Sequence, residues 1–155
     1  MTVSCYCHSC QTAARQLAVP GSTPFAGTDG GTPFVLYRKD RVEFPASQAL
    51  REHRLSPQSS TRRVIAACCG APMFLEFEKG HWVSVYAARI PEAERPPLEM
   101  RTMTGDAPPD TVFTDRVPSY RTHSVPFMAR LLWAWVLMGF RSPAIEVKAV
   151  AVESK

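Results

Sequence analysis

Three thiols fall within six residues near the start of the chain, in Cys5-Tyr6-Cys7-His8-Ser9-Cys10. Cys5 and Cys7 are two apart, so on an extended strand their sulfurs leave the same face. A turn after Cys7 folds the Cys10 sulfur back toward them. Such a tripod of soft ligands suits zinc, which takes thiolate sulfur at about 2.3 Å in a tetrahedron. Three protein ligands leave one corner open, the pattern of a reactive zinc and not of a purely structural one. The plainer alternative is a set of reduced, half-buried cysteines, but C-x-C-x2-C packs thiols too densely for chance. His8, inside the loop, is a candidate for approaching the metal or for acid–base work, although its place between two ligands points it outward. Tyr6, between two ligand positions, is expected to face the opposite side and pack in the core.

Two further groups carry side chains capable of chemistry. Cys68 and Cys69 are adjacent, so if they lie on a strand only one of them faces any given direction. One buried and one partly exposed thiol is the ordinary expectation, and a disulfide between neighbours is strained. Cys69 is nevertheless a candidate fourth ligand for the Cys5 zinc, and in that role it closes the site against catalysis. Arg62 and Arg63 are candidates to meet an anionic substrate, against the usual solvated strand face.

The elements that must position these residues follow from periodicity and punctuation. Residues 11–19 are rich in helix formers and stop at Pro20-Gly21, which predicts a short helix leading out of the metal loop. Strands are expected at 33–38, 41–44, 50–55, 62–68, 72–77 and 81–88, the second as an antiparallel return of the first. Between residues 90 and 118, Pro91, Pro96, Pro97, Pro108, Pro109 and Pro118 forbid regular ladders over most of the span and predict an ordered meander. A long apolar helix is expected over 124–140, with Ser124 as N-cap and Pro126 in its first turn. Its ordinary reading is a buried helix packed on a sheet. Its lack of a polar face also points to a second covering surface, and a homodimer through 124–140 is one candidate. Residues 144–152 end the chain as a β-branched strand.

At 155 residues the chain should form one domain with a core of its own, residues 1–90 as a metal-binding β core and 91–155 as the meander, helix and final strand. The apolar run of the helix is too short to span a bilayer, so no membrane span is expected. The net charge of +4 is mild and its arginines are scattered, which argues against nucleic acid. Five cysteines in two tight clusters, without a signal peptide, do not make a secreted disulfide framework, and a reducing, cytoplasmic setting is expected.

The first half of the chain resembles the glutathione-dependent formaldehyde-activating enzyme family, zinc proteins with a β-tent fold of antiparallel sheets. The resemblance rests on Cys5-x-Cys7-x2-Cys10 running into a short helix, a Gly-rich turn with an aromatic strand, Thr61-Arg62-Arg63, and a strand ending in Cys69-Gly70-x-Pro72. It covers roughly residues 3–77. It implies that Cys5, Cys7 and Cys10 hold the active-site zinc. The family's second, structural zinc uses an upstream C-x-C and a downstream C-x2-C. Here the sequence begins four residues before Cys5, and Ala66 stands where the downstream pair would start. One Zn2+ per chain is therefore expected.

The expected function is that of a zinc-dependent carbon–sulfur lyase acting on an adduct of a small thiol such as glutathione. Cys5, Cys7 and Cys10 would act catalytically through the bound zinc. The alternative is a non-catalytic, zinc-stabilised binding module. An open corner beside a cavity favours the enzyme, and a closed four-sulfur site favours the module.

Overall fold

The strands sort their side chains by period two onto the two faces of one sheet, and each face carries its own apolar cluster. The computed structural model describes residues 1–19, 23–44, 49–145 and 147. Among these, seven strands form a single mixed sheet: β1 (Thr2–Cys5), β2 (Thr32–Arg38), β3 (Leu50–His53), β4 (Thr61–Ala66), β5 (Pro72–Phe77), β6 (Trp82–Tyr86) and β7 (Met100–Thr102). Their order across the sheet is β3-β4-β5-β6-β2-β1-β7. The mainly β class with a C-terminal helix is as expected. Val3, Phe34, Leu36, Leu75 and Tyr86 line one face, where helices α1 (His8–Gln16) and α2 (Val125–Leu137) cover them. Leu50, Val64, Phe74 and Val83 form the cluster on the other face.

Every ladder is antiparallel except β1 with β7, which is parallel in the register Val3↔Met100 and Cys5↔Thr102. The meander thus contributes an edge strand that proline content alone did not suggest. The reason is local: Glu99 to Thr102 lies between Pro97 and Pro108, so its amides are free to pair with the open edge of β1. The rest of the meander is pinned by Arg101, which makes a two-pronged ion pair to Asp115 at 2.7 Å on each arm and lies over the Phe113 ring.

Three other expectations are corrected. The return strand over 41–44 does not form. Lys39–Arg41 is a single 3-10 turn, and Val42 and Phe44 pack on the second cluster, Phe44 stacking on Phe74. β2 already has β1 and β6 on its two sides, so a return strand had no edge to join. The helix after the metal loop begins at His8 and not at Gln11, which brings Cys10 into its first turn. The long helix is half buried. Phe127, Leu131 and Met138 face inward, while Met128, Leu132, Trp133, Val136, Leu137 and Phe140 form an exposed apolar face. No helix among the described residues is long and apolar enough to cross a membrane. Ser124 caps α2 as expected, accepting the Phe127 amide at 3.2 Å. His81 ties the helix to the sheet, its Nε2 2.7 Å from the Leu131 carbonyl and its ring stacked on Trp135. The final strand lies largely outside the described residues; Ile145 and Val147 lie half-buried against the second cluster.

Candidate metal centre

Three pieces of local structure bring the thiols together. Cys5 is the last residue of β1, held between Thr32 on β2 and Thr102 on β7. Cys7 is the N-cap of α1, its sulfur accepting the Cys10 amide at 3.4 Å. Cys10 lies three residues on, so the first helical turn stacks it on the same side as the cap. The three sulfurs all lie within 4.8 Å of one another. Thiolates on a tetrahedral ion at about 2.3 Å would stand roughly 3.8 Å apart, so only a small contraction separates this arrangement from a ligand set. Cys5, Cys7 and Cys10 together can hold a metal ion.

The proton distribution fits the same purpose. Cys7 is lowered to about 2, first by hydrogen bonding from Cys10 and Cys5 and then by the amides of Cys10 and Ser9 at the helix start, against the cost of burial. Cys10 is held well above the ordinary thiol range by its hydrogen bonds with Cys5 and Cys7 and by burial. The Cys10 hydrogen bond pulls Cys5 down, yet the bond with Cys7, burial and the Cys7 charge outweigh it and push Cys5 up to about 12. Hydrogen bonding and burial thus favour the negative charge on Cys7 over Cys5 and Cys10. A divalent cation is what allows all three to ionise.

A buried cation stands beside the loop. Arg63, on β4, is only 1% exposed, and its Nη2 donates to the Ser9 carbonyl at 3.1 Å and the Ser9 hydroxyl at 2.8 Å. Its Nε and Nη1 have no partner, and among the described residues no carboxylate pairs with it, Glu52 and Glu76 being taken by Arg62. A buried guanidinium with unmet donors is costly, and a nearby negative centre would compensate it. Three thiolates on a divalent ion carry a net charge of −1, and Arg63 contacts the loop that would hold it. The orphaned donors thus fit a metal–thiolate centre.

Other contacts make the loop rigid. Gln11 donates to the carbonyls of Tyr6 at 2.6 Å and Asp106 at 2.7 Å, and the Tyr6 hydroxyl donates to Asp29 at 2.5 Å. Tyr6 is buried on the side away from the sulfurs, as expected. His8 points outward, 84% exposed, with Nε2 3.7 Å from Asp106.

The sulfurs open onto a cavity of about 410 Å³ between the sheet and α2. Phe34 and Leu36 on β2, Leu75 on β5, Trp82 on β6, and Phe127 and Leu131 on α2 form its walls. His123 stands at its edge, Nδ1 3.1 Å from the Thr102 hydroxyl and its ring stacked on Phe127. Met103 also lines it, from a left-handed backbone position (φ 58°) that swings the chain out of β7. Such strain in a non-glycine residue is typical of functional corners.

The remaining candidates are not brought here. Cys68 and Cys69 lie in the turn between β4 and β5, both exposed, where strand alternation does not apply. Cys69 does not belong to the three-sulfur group. Arg62 faces the other side of the sheet, paired with Glu52 and Glu76. Sequence reasoning missed His123 and the cavity walls. The only signal for His123 was its place just before the cap of an apolar helix. Compared with protein-family models the chain matches none, and compared with curated proteins it likewise finds no match.

Proposed function

We propose that the chain binds one Zn2+ through Cys5, Cys7 and Cys10 and acts as a zinc-dependent carbon–sulfur lyase on the adduct of a thiol with a small carbonyl compound. The observation that carries this reading is that the three sulfurs line a cavity, with no fourth cysteine, histidine or carboxylate grouped with them among the described residues. When bound, zinc supplies a soft Lewis acid that lowers a thiol's pKa and orients its sulfur. The chain's own residues do the rest. Cys7, already stabilised as thiolate at the helix start, anchors the ligand set, and Arg63 balances its charge. The apolar walls exclude water and hold sulfur and carbonyl carbon together. In the synthetic direction the S–C bond forms as the C=O π bond opens, and the thiol proton ends on the new hydroxyl. Lyase action is the reverse. His123, oriented by Thr102 and Phe127, is placed at the cavity to carry that proton. Glutathione as the thiol is what the resemblance alone implies. We further propose a homodimer through the outer face of α2, supported by its exposed Leu132, Trp133 and Leu137, and a reducing, cytoplasmic setting that keeps the thiols free.

Metal analysis of the purified protein should find one equivalent of zinc. Cys7→Ser should lose at least tenfold in zinc affinity, and Cys68→Ser should leave it unchanged, because Cys68 stands in an exposed turn apart from the other sulfurs. Equal losses in the two variants would overturn the ligand assignment. Carbon-13 NMR with a labelled aldehyde and a thiol should then show adduct exchange accelerated by the zinc form and not by Cys7→Ser.

A further inference from the structure

The cavity itself says what kind of molecule reaches the sulfurs. Among the described residues, none of those lining it is an Asp, Glu, Lys or Arg. Its polar groups are few and partly engaged: the Thr102 hydroxyl faces the Thr122 carbonyl and His123, and the Ser9 hydroxyl holds Arg63. A peptide thiol such as glutathione carries two carboxylates and an ammonium group. Each of these would need a partner on entering a water-poor space. Arg63 is the nearest buried cation, but it lies behind the metal loop, bonded to Ser9, and does not line the cavity. The walls offer instead aromatic and branched aliphatic surface from β2, β5, β6 and α2, which favours an uncharged ligand by simple transfer from water.

We infer that this cavity selects a small, uncharged, apolar ligand, an alkyl or aryl thiol or its carbonyl adduct, with its sulfur toward Cys5, Cys7 and Cys10 and its hydrocarbon between the sheet and α2. The inference rests on the reading of the cavity as the ligand space of the thiol centre, and it replaces glutathione by an apolar thiol. A chain of about eight to ten carbons fills most of the space, at roughly the 30 Å³ that a water-sized group occupies in a liquid. Met128, half exposed on α2, and Phe77, on β5, lie at the accessible side where such a chain would enter.

The test is calorimetric titration of the metal-loaded protein with ethanethiol, butanethiol and hexanethiol, the corresponding alcohols, and glutathione. Affinity for the thiols should rise about fourfold per methylene, the equivalent of ~0.8 kcal/mol, or roughly 200-fold from ethyl to hexyl. Glutathione should bind no better than ethanethiol. If alcohols show the same chain-length dependence and bind as tightly as the thiols, the apolar selection stands while the thiol chemistry of the preceding section fails. Glutathione binding as tightly as hexanethiol, a flat chain-length series, or no binding by any probe overturns the inference. Met128→Asp, at an exposed position, should weaken hexanethiol at least tenfold while leaving the circular dichroism spectrum intact. With longer thiols added to the series, Trp82→Ala should carry the chain-length gain past the roughly eight to ten carbons at which the parent levels off. An unchanged hexanethiol affinity in folded Met128→Asp counts against the site.

Discussion

Arg63 is the residue whose role depends most on where the fold puts it. A guanidinium with two donors unpaired, and no carboxylate paired with it among the described residues, is a liability in a metal-free chain. The same charge becomes an asset once a centre of net charge −1 sits across Ser9. Arg63→Met keeps much of the volume and removes the charge. We expect its metal-free form to melt no lower than the parent, since a hydrophobic replacement of an uncompensated buried ion is usually neutral or stabilising. Zinc affinity should nevertheless fall by about tenfold, or ~1.4 kcal/mol, through loss of the counter-charge. Thermal melts with and without zinc separate the two effects. A metal-free form that loses several degrees would make Arg63 a structural residue only.

At the scale of the element, α2 poses two separate questions. Its inner face is held by Phe127 and Leu131 and by the hydrogen bond from His81 to the Leu131 carbonyl. Burial pushes the His81 pKa below its usual 6.5, although its bond to Leu131 works the other way and the nearby Lys39 charge adds to the lowering. The folded chain therefore binds this proton less readily than the unfolded one. The corresponding stability is fully present above pH 6.5 and is lost as pH falls from there through the lower folded value. His81→Gln should flatten that part of the pH dependence of the denaturation midpoint; an unchanged slope would show that His81 is not its source. The outer face of α2 asks for a different experiment. Trp135 stacks on His81 and serves the inner contact, so Trp133, 63% exposed, is the residue that reads the surface. If two copies meet through this face, Trp133→Glu should convert a dimer to a folded monomer in sedimentation analysis. A parent that sediments as a monomer would dispose of the homodimer.

For the whole molecule, the metal loop is the place where elements distant in sequence meet. β1 lies between β2 and β7, α1 leaves directly from its end, and the cavity beyond is closed by α2 from the far end of the sequence. A metal there would bind strand to helix, and its removal should be felt locally first. Chelation should lower hydrogen-exchange protection in β1, α1 and β7, while β4 and β5, whose cluster of Val64 and Phe74 lies on the other face, stay protected. Uniform loss of protection would mean that the sheet has no such division.

Much of this was legible in the residues. β-rich runs bounded by turn residues located β2, β4, β5 and β6 to within a residue or two, because that punctuation is strictly local, whereas the alternation of 41–44 was no guarantee of a partner. The thiol tripod was legible because C-x-C-x2-C sets its own geometry over six residues: a strand end, a cap and one helical turn. The Ser124 cap and Pro126 marked the start of α2 for the same reason. What lay beyond local reach was decided by packing. Whether residues 41–44 pair depends on which edges of β2 are already filled. Whether Met100–Thr102 becomes a strand depends on the free edge of β1. Arg63 looked like a solvated strand residue until the sheet was covered by α1, and His123 had no visible tie to cysteines more than a hundred residues away. Spacing in sequence determines which neighbours share a face; only the closed tertiary structure decides what that face meets, and so which polar groups lose their water.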